Sequence, residues 1–166
     1  MELALNQIDN IIVKDLRINF DKIRNKDSLT STEFYLICLA GAKLLNYQDL
    51  FLKSKEALKD LSEAELNEAE LSVGIVSMLN SYYKTKNLLQ EDFELGPAEL
   101  RMQSLFNPVL GKRMFEILSL AISILNYCPY CVKAHAKECV KHGLTPEQIH
   151  DIIRLSSIIN GMAKIG

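Results

Sequence analysis

The 166-residue sequence predicts an all-α fold. Seven glycines and four prolines are few interruptions for this length, and no stretch alternates apolar and polar residues with the period of two that a half-buried strand needs. Apolar residues instead recur at helical spacing near the N-terminus: Leu5, Ile8, Ile12, Leu16 and Phe20. We therefore expect a first helix near residues 3–24, followed by a turn at residues 27–31.

Three further helix starts are marked by capping boxes, in which a Ser or Thr side chain accepts a backbone N–H and a Glu or Gln three residues later reciprocates. The pairs are Thr30 with Glu33, Ser62 with Glu65, and Thr145 with Gln148. They predict helices near residues 30–46, 62–86 and 145–162. The last helix has a proline at its first position, where the missing N–H costs nothing.

The segments between these starts place the remaining helices. A helix near residues 48–59 follows "LLNY", and one is expected near 109–126; the segments "ELGPAEL" and "LFNPVLG" mark the looped middle of the chain. Pro129 and Gly143 bracket a helix near 129–142, the proline at its start and the glycine as its C-terminal cap.

A short internal repeat indicates a duplicated helical hairpin unit. "LLNY" at residues 44–47 resembles "ILNY" at 124–127, and "LSEAEL" and "LTPEQI" follow in the two halves. We expect one domain over residues 1–166. In the register of the repeat, the N-terminal half, about residues 1–90, lacks the cysteines, histidine and glutamate described below, so we expect the functional site in the C-terminal half, about residues 91–166.

The charge balance excludes several classes of partner. A formal net charge of −2 and a pI of about 5.9 argue against a nucleic-acid binder, whose affinity comes from clustered Lys and Arg. No apolar run approaches the roughly 18 residues of a membrane span, and Glu2 stands where a signal peptide carries positive charge. We therefore expect a cytoplasmic protein, in which a close cysteine pair is more often catalytic or metal-binding than structural.

The segment "LNYCPYCVKAHAKEC" holds three of the four cysteines. Cys128 and Cys131 form a C-x-x-C pair at the start of a predicted helix, where the helix dipole and the free N–H groups favour thiolates. His135 lies four residues after Cys131, one turn along the same face, where an imidazole can take a proton from the thiol. The pattern is typical of reactive sulfur.

Glu116 joins this group through the predicted hairpin of the helices near 109–126 and 129–142. At about 1.5 Å per residue, Glu116 lies about 15 Å below the turn and His135 about 13 Å, so both reach the same level. A carboxylate beside an imidazole fixes its tautomer and makes it a better base. Glu116, His135 and Cys131 therefore form a candidate proton relay.

A zinc site is one alternative. Cys128, Cys131, His135 and Cys139 share one helical face, but the first and last lie about 16 Å apart along the axis, too far for one tetrahedral ion. A site of the C-x-x-C pair with His142 or His150 stays open, and would make the chain a zinc-stabilised interaction module.

The other candidates have simpler interpretations. We expect Cys38 and Cys139 to be buried small hydrophobic residues. His142 and His150 are expected at the surface or at a helix cap, and Tyr82 and Tyr83 in the core.

The motif Glu116, Cys128, Cys131 and His135 resembles the signature of the alkylhydroperoxidase AhpD family, within the carboxymuconolactone decarboxylase-like fold. The spacing of a Glu, twelve residues to C-x-x-C, and then x-x-x-H matches throughout. The resemblance extends through "MLNSYYKTKNLL", "LRMQSLFNP" and "GLTPEQIHDIIRLSSIINGMAK", and the length and duplicated helical layout are similar to the family.

The resemblance implies a small peroxidase and disulfide reductase with no tightly bound cofactor and no metal. In such proteins the second cysteine, here Cys131, reacts with the hydroperoxide or with a partner's disulfide, and Cys128 then resolves it as an intramolecular disulfide. A dihydrolipoyl-bearing protein returns the electrons. The implied partner is the peroxiredoxin AhpC, and the implied assembly is a homotrimer or a larger oligomer.

The sequence departs from the family at Tyr130, where AhpD-type proteins usually carry a second histidine. Tyrosine donates a hydrogen bond but does not act as a base near neutral pH, so Tyr130 is at most an auxiliary residue. A decarboxylase or other lyase on the same fold is the rival function, but a lyase has no need of adjacent cysteines.

Overall fold

A computed structural model describes residues 3–4 and 9–166, and its elements are helical. They are α1 (Ile11–Arg24), α2 (Ser31–Leu45), α3 (Gln48–Ala57), α4 (Glu63–Leu89), a short 3₁₀ helix (Gln103–Leu105), α5 (Gly111–Leu125), α6 (Pro129–Lys141) and α7 (Pro146–Ala163). No strand occurs in these described ranges. The all-α prediction is confirmed, and the largest boundary difference among α2 to α7 is at the end of α4, at Leu89 rather than residue 86.

The first helix is shorter than predicted. Asn10 has an extended backbone (φ −147°, ψ 142°), and its side chain accepts the N–H of Ile12 at 2.8 Å, so it caps a helix that begins at Ile11. The predicted start at residue 3 is therefore wrong, because Asn10 caps the N-terminus of the helix. Leu5 and Ile8, on which that prediction partly rested, lie outside the described residues.

All three capping boxes are formed, at the starts of α2, α4 and α7. Helix α5 has no side-chain cap of its own. The carboxylate of Glu68 on α4 instead accepts the N–H groups of Val109 and Leu110, just before the helix, at 2.7 and 2.6 Å. This contact ties the loop before α5 to the first half of the chain.

Helices α2 and α5 are the two central elements. Helix α2 packs against α3, α4, α5 and α7, while α5 packs against α2, α4, α6 and α7. Both carry fully buried side chains on several sides, including Leu36 and Ile37 of α2 and Ile117 and Leu118 of α5. The α5–α6 hairpin is thus held on a rigid, solvent-excluded support.

Each of the two matching "LNY" segments contains one residue with a left-handed backbone, but its position differs by one between the segments. The left-handed residue is Asn46 after α2 (φ 57°) and Tyr127 after α5 (φ 53°). The proposed duplication and the single-domain boundaries stay predictions. None of the helices in the described part of the chain is long and apolar enough to cross a membrane.

Candidate active site

The turn between α5 and α6 sets the position of Cys128. The N–H of Tyr127 donates to the carbonyl of Ile124 and the N–H of Cys128 to that of Ser123, both at 3.1 Å. With Tyr127 in the left-handed region, these bonds form a Schellman motif that ends α5. The chain therefore reverses within two residues, and Cys128 becomes the N-cap of α6.

Cys128 and Cys131 are joined by a disulfide, with their Cα atoms 5.3 Å apart. The N–H of Cys131 also donates to the sulfur of Cys128 at 3.4 Å. The pair is almost fully enclosed, since Cys128 has no exposed surface and Cys131 retains 4%. Of the two residues, Cys131 is therefore the one that retains solvent-exposed surface.

Glu116 and His135 meet across the α5–α6 hairpin, at the level that the spacing predicted. Oε2 of Glu116 lies 2.7 Å from Nδ1 of His135, and the side chains are 12% and 23% exposed. Because Nδ1 is engaged by the carboxylate, Nε2 is the ring nitrogen left to exchange a proton. His135 lies on the face of α6 that also carries Cys131, one turn away.

A surface cavity of about 510 Å³ opens beside this pair. Glu116 and His135 line it together with Tyr130, Lys133 and Lys137. A molecule in this cavity would contact the aromatic ring of Tyr130, two cationic side chains and the Glu116–His135 pair.

Tyr130 is 52% exposed and lies against α4. Its ring stacks on that of Tyr83, with centroids 5.8 Å apart and an interplanar angle of 28°, and Tyr82 meets Tyr83 edge-on at 5.1 Å. The prediction that Tyr82 and Tyr83 are core residues is wrong, because both are only partly buried. The stack fills the surface between α4 and the first turn of α6.

Known proteins match this chain both at the motif and over most of its length. The model of the carboxymuconolactone decarboxylase family matches residues 91–165, which include all four motif residues. Over 154 residues the chain is 36% identical to alkyl hydroperoxide reductase AhpD of Hyphomonas neptunium, covering 92% of this chain and 86% of that protein. The chain belongs to the AhpD family.

Two other AhpD proteins support the same membership. The protein of Mycolicibacterium smegmatis is 35% identical over 164 residues, covering 95% of this chain and 93% of the relative. The protein of Coxiella burnetii is 31% identical over 157 residues, covering 92% and 89%. The AhpD-family match thus includes the N-terminal half, which the family model leaves out.

The two free cysteines of this AhpD-family chain are buried, as predicted. Burial raises the pKa of the Cys38 thiol well above its usual value. Burial, and then the negative charge of Glu116, raise the pKa of Cys139 to about 12. Both thiols therefore stay protonated and unreactive near neutral pH.

The two remaining histidines lie where the sequence placed them. His142 caps the C-terminus of α6 and His150 is exposed on α7. Within residues 3–4 and 9–166, no group of three or more His, Cys, Asp or Glu side chains is arranged to hold a metal ion.

A buried polar network behind the turn between α5 and α6 was missed by sequence reasoning. Asn80 of α4, 2% exposed, donates to the hydroxyl of Ser123 at 2.9 Å and accepts from the amide of Asn126 at 3.0 Å. Asn126 also donates to Ser77 at 3.0 Å. A signal was available, because Asn80 lies at helical spacing from the buried residues Ala69 and Val76 of α4, where an apolar side chain is expected.

Proposed function

We propose that this chain is an antioxidant thiol oxidoreductase that reduces alkyl hydroperoxides, and the disulfide of a partner protein, through Cys128 and Cys131. The observation that carries the proposal is the enclosed Cys128–Cys131 disulfide at the start of α6, with the Glu116–His135 pair one turn away. The names of the AhpD relatives support the same reaction class.

In the oxidative half-reaction, His135 takes the proton of the Cys131 thiol, and Glu116 stabilises the resulting imidazolium. The Cys131 thiolate attacks the terminal oxygen of the hydroperoxide, and the O–O bond breaks. The products are a sulfenic acid on Cys131 and an alkoxide, which takes the proton from His135 and leaves as the alcohol. The exposed fraction of Cys131, 4% against none for Cys128, supports this choice of attacking sulfur.

Cys128 then resolves the intermediate. Its thiolate attacks the sulfenic sulfur of Cys131, the hydroxyl leaves as water after protonation, and the S–S bond forms. The short distance between the two Cα atoms, 5.3 Å, supports an intramolecular product.

The disulfide is returned to two thiols by two electrons from a dihydrolipoyl group of a partner protein. One donor thiolate attacks Cys131, and Cys128 leaves as a thiolate. The N–H that Cys131 directs at the Cys128 sulfur, at 3.4 Å, and the N-terminus of α6 both stabilise that leaving group. The second donor thiol then releases Cys131 and closes the lipoyl disulfide.

The same dithiol can reduce the disulfide of a peroxiredoxin of the AhpC type.

The protein is expected to act as a homotrimer or larger oligomer. Exposed apolar side chains along α4 support association, among them Leu71, Met78 and Leu88, with exposed fractions of 72%, 37% and 77%. Light scattering of the purified protein measures the assembly directly.

The activity is tested by following hydroperoxide consumption with dihydrolipoamide as the electron donor. One hydroperoxide should give one alcohol, one water and one lipoamide disulfide. Cys131→Ser is the control, and it should consume no hydroperoxide above the rate without protein. Equal rates for the wild type and Cys131→Ser would refute the proposal.

A further inference from the structure

The turn of residues 126–128, here called the redox turn, is held from the other half of the chain by side chains of α4, and the amide of Asn80 is the buried one among them. The side chain of Asn80 on α4 contacts α5 twice, as a donor to Ser123 and as an acceptor from Asn126. The carbonyl of Ser123 in turn accepts the N–H of Cys128 at 3.1 Å. Asn80 is thus connected to the backbone of the first cysteine through one intervening residue.

The turn that this network holds contains a strained residue. Tyr127 has φ of 53°, a conformation that bulky side chains rarely adopt, and it directly precedes Cys128. The matching segment after α2 avoids this strain, since there Asn46 takes the left-handed position, and asparagine tolerates it.

The equivalent asparagine after α5, Asn126, is instead turned to Asn80 and Ser77. A strained backbone conformation persists where several surrounding contacts hold it in place. Asn160 of α7 adds a second restraint by donating to the Tyr127 hydroxyl at 2.8 Å.

We propose that Asn80 is a positioning residue for the redox pair: its buried amide fixes the strained turn and so keeps the Cys128 sulfur within reach of Cys131. The inference rests on the proposed function in that it assigns a redox cycle to this pair. A fixed turn raises the effective concentration of one sulfur near the other, which favours the disulfide over the dithiol. Loss of the amide therefore makes the disulfide easier to reduce.

The test measures the reduction equilibrium of the Cys128–Cys131 disulfide in buffers of reduced and oxidised dithiothreitol. The two dithiothreitol thiols are oxidised to the cyclic disulfide while the protein disulfide is reduced to two thiols. Alkylation and mass spectrometry report the reduced fraction. Asn80→Leu keeps a similar volume without hydrogen bonds, and Ser123→Ala removes one partner with a smaller change.

Ser72→Ala is the matched control. Ser72 is also buried on α4, at 4% exposed, but its hydroxyl donates to the carbonyl of Ala69, within the same helix. This variant removes a buried hydroxyl from α4 without touching the redox turn. It separates the general effect of changing a buried polar side chain of α4 from a change in the position of the sulfurs.

Asn80→Leu and Ser123→Ala should each shift the equilibrium about tenfold towards the dithiol, which is about 30 mV for a two-electron couple, and Ser72→Ala should not. Unchanged equilibria in both variants, or an equal shift in Ser72→Ala, would overturn the inference. If Asn80→Leu does not fold, Ser123→Ala decides. Because dithiothreitol exchange needs no hydroperoxide, failure of the peroxidase proposal is a separate result.

Discussion

The carboxylate of Glu116 lies 2.7 Å from Nδ1 of His135, on the facing sides of α5 and α6. This contact fixes which ring nitrogen is free, and it leaves Nε2 as the candidate base for the sulfur of Cys131, one turn away on α6. The hairpin, rather than any single helix, therefore assembles the proposed relay.

Removing either member of this pair should slow the reaction of the Cys131 thiol. In a Cys128→Ser background, His135→Phe and Glu116→Gln should each lower the rate of iodoacetamide alkylation of Cys131 near neutral pH, by up to about 10²-fold. Glu138→Gln is the matched control, since Glu138 lines the same cavity but pairs with Lys141. Equal alkylation rates in the Cys128→Ser protein and in its three further variants would remove the Glu116–His135 pair from the mechanism.

The parts of the site that share one helix or one hairpin could be predicted from the sequence. Helical periodicity aligns Cys131 with His135, and the rise per residue brings Glu116 to their level, because both rules depend only on local geometry. The same holds for the helix starts, where a capping box is satisfied within four residues. These features need no knowledge of how distant helices pack.

Contacts between distant segments could not be predicted in this way. Asn80 and Asn126 are 46 residues apart, and their hydrogen bond depends on how α4 crosses α5. The stacking of Tyr83 on Tyr130 depends on the same crossing. The start of α1 was missed because apolar spacing alone does not reveal that Asn10 caps the helix.

The attacking sulfur is identified by trapping the sulfenic acid. After exposure to a hydroperoxide, Cys128→Ser should carry a dimedone adduct on Cys131, because no resolving thiol remains. Cys131→Ser should carry none on Cys128. The reverse labelling would exchange the roles of the two cysteines.

Mild oxidation of the wild type should give a Cys128–Cys131 disulfide and leave Cys38 and Cys139 reduced. The two buried thiols have raised pKa values, so they supply almost no thiolate near neutral pH. Peptide mass mapping of the oxidised protein measures the pairing. A bridge between Cys131 and Cys139 would contradict the assignment.

Asp151 should make the stability of the fold sensitive to acid. Its buried carboxylate would have a raised pKa from burial alone, but hydrogen bonds from Lys26, Ser28 and Arg154 lower the pKa from 3.8 to about 2. The ionised group is therefore favoured in the folded state. Its contribution is complete above about pH 5 and is lost as the pH falls through 2.

Asp151→Asn should accordingly lower the free energy of unfolding by about 1.5–3 kcal/mol at pH 7. It should also flatten the decline of stability between pH 5 and pH 2. Urea unfolding at several pH values measures both effects. Glu147→Gln is the control: Glu147 pairs with the same Lys26 at 3.2 Å but is exposed, so its loss should change stability by less than about 1 kcal/mol. A pH dependence unchanged in Asp151→Asn would contradict the role of this carboxylate.

Tyr130→His should accelerate hydroperoxide reduction near neutral pH. The substitution restores the residue usual in AhpD-type proteins, and a histidine accepts a proton in this pH range whereas tyrosine does not. The new imidazole would enter the cavity that Glu116 and His135 line.

Tyr130→Phe is the control, since it keeps an aromatic ring for stacking on Tyr83 and loses only the hydroxyl. It should react at the wild-type rate. The measurement is the pH profile of sulfenic acid formation on Cys131 in a Cys128→Ser background, under single-turnover conditions. A slower reaction in Tyr130→Phe would show that the tyrosine hydroxyl itself assists the peroxide, and an unchanged rate in Tyr130→His would mean that His135 alone sets the rate of proton transfer.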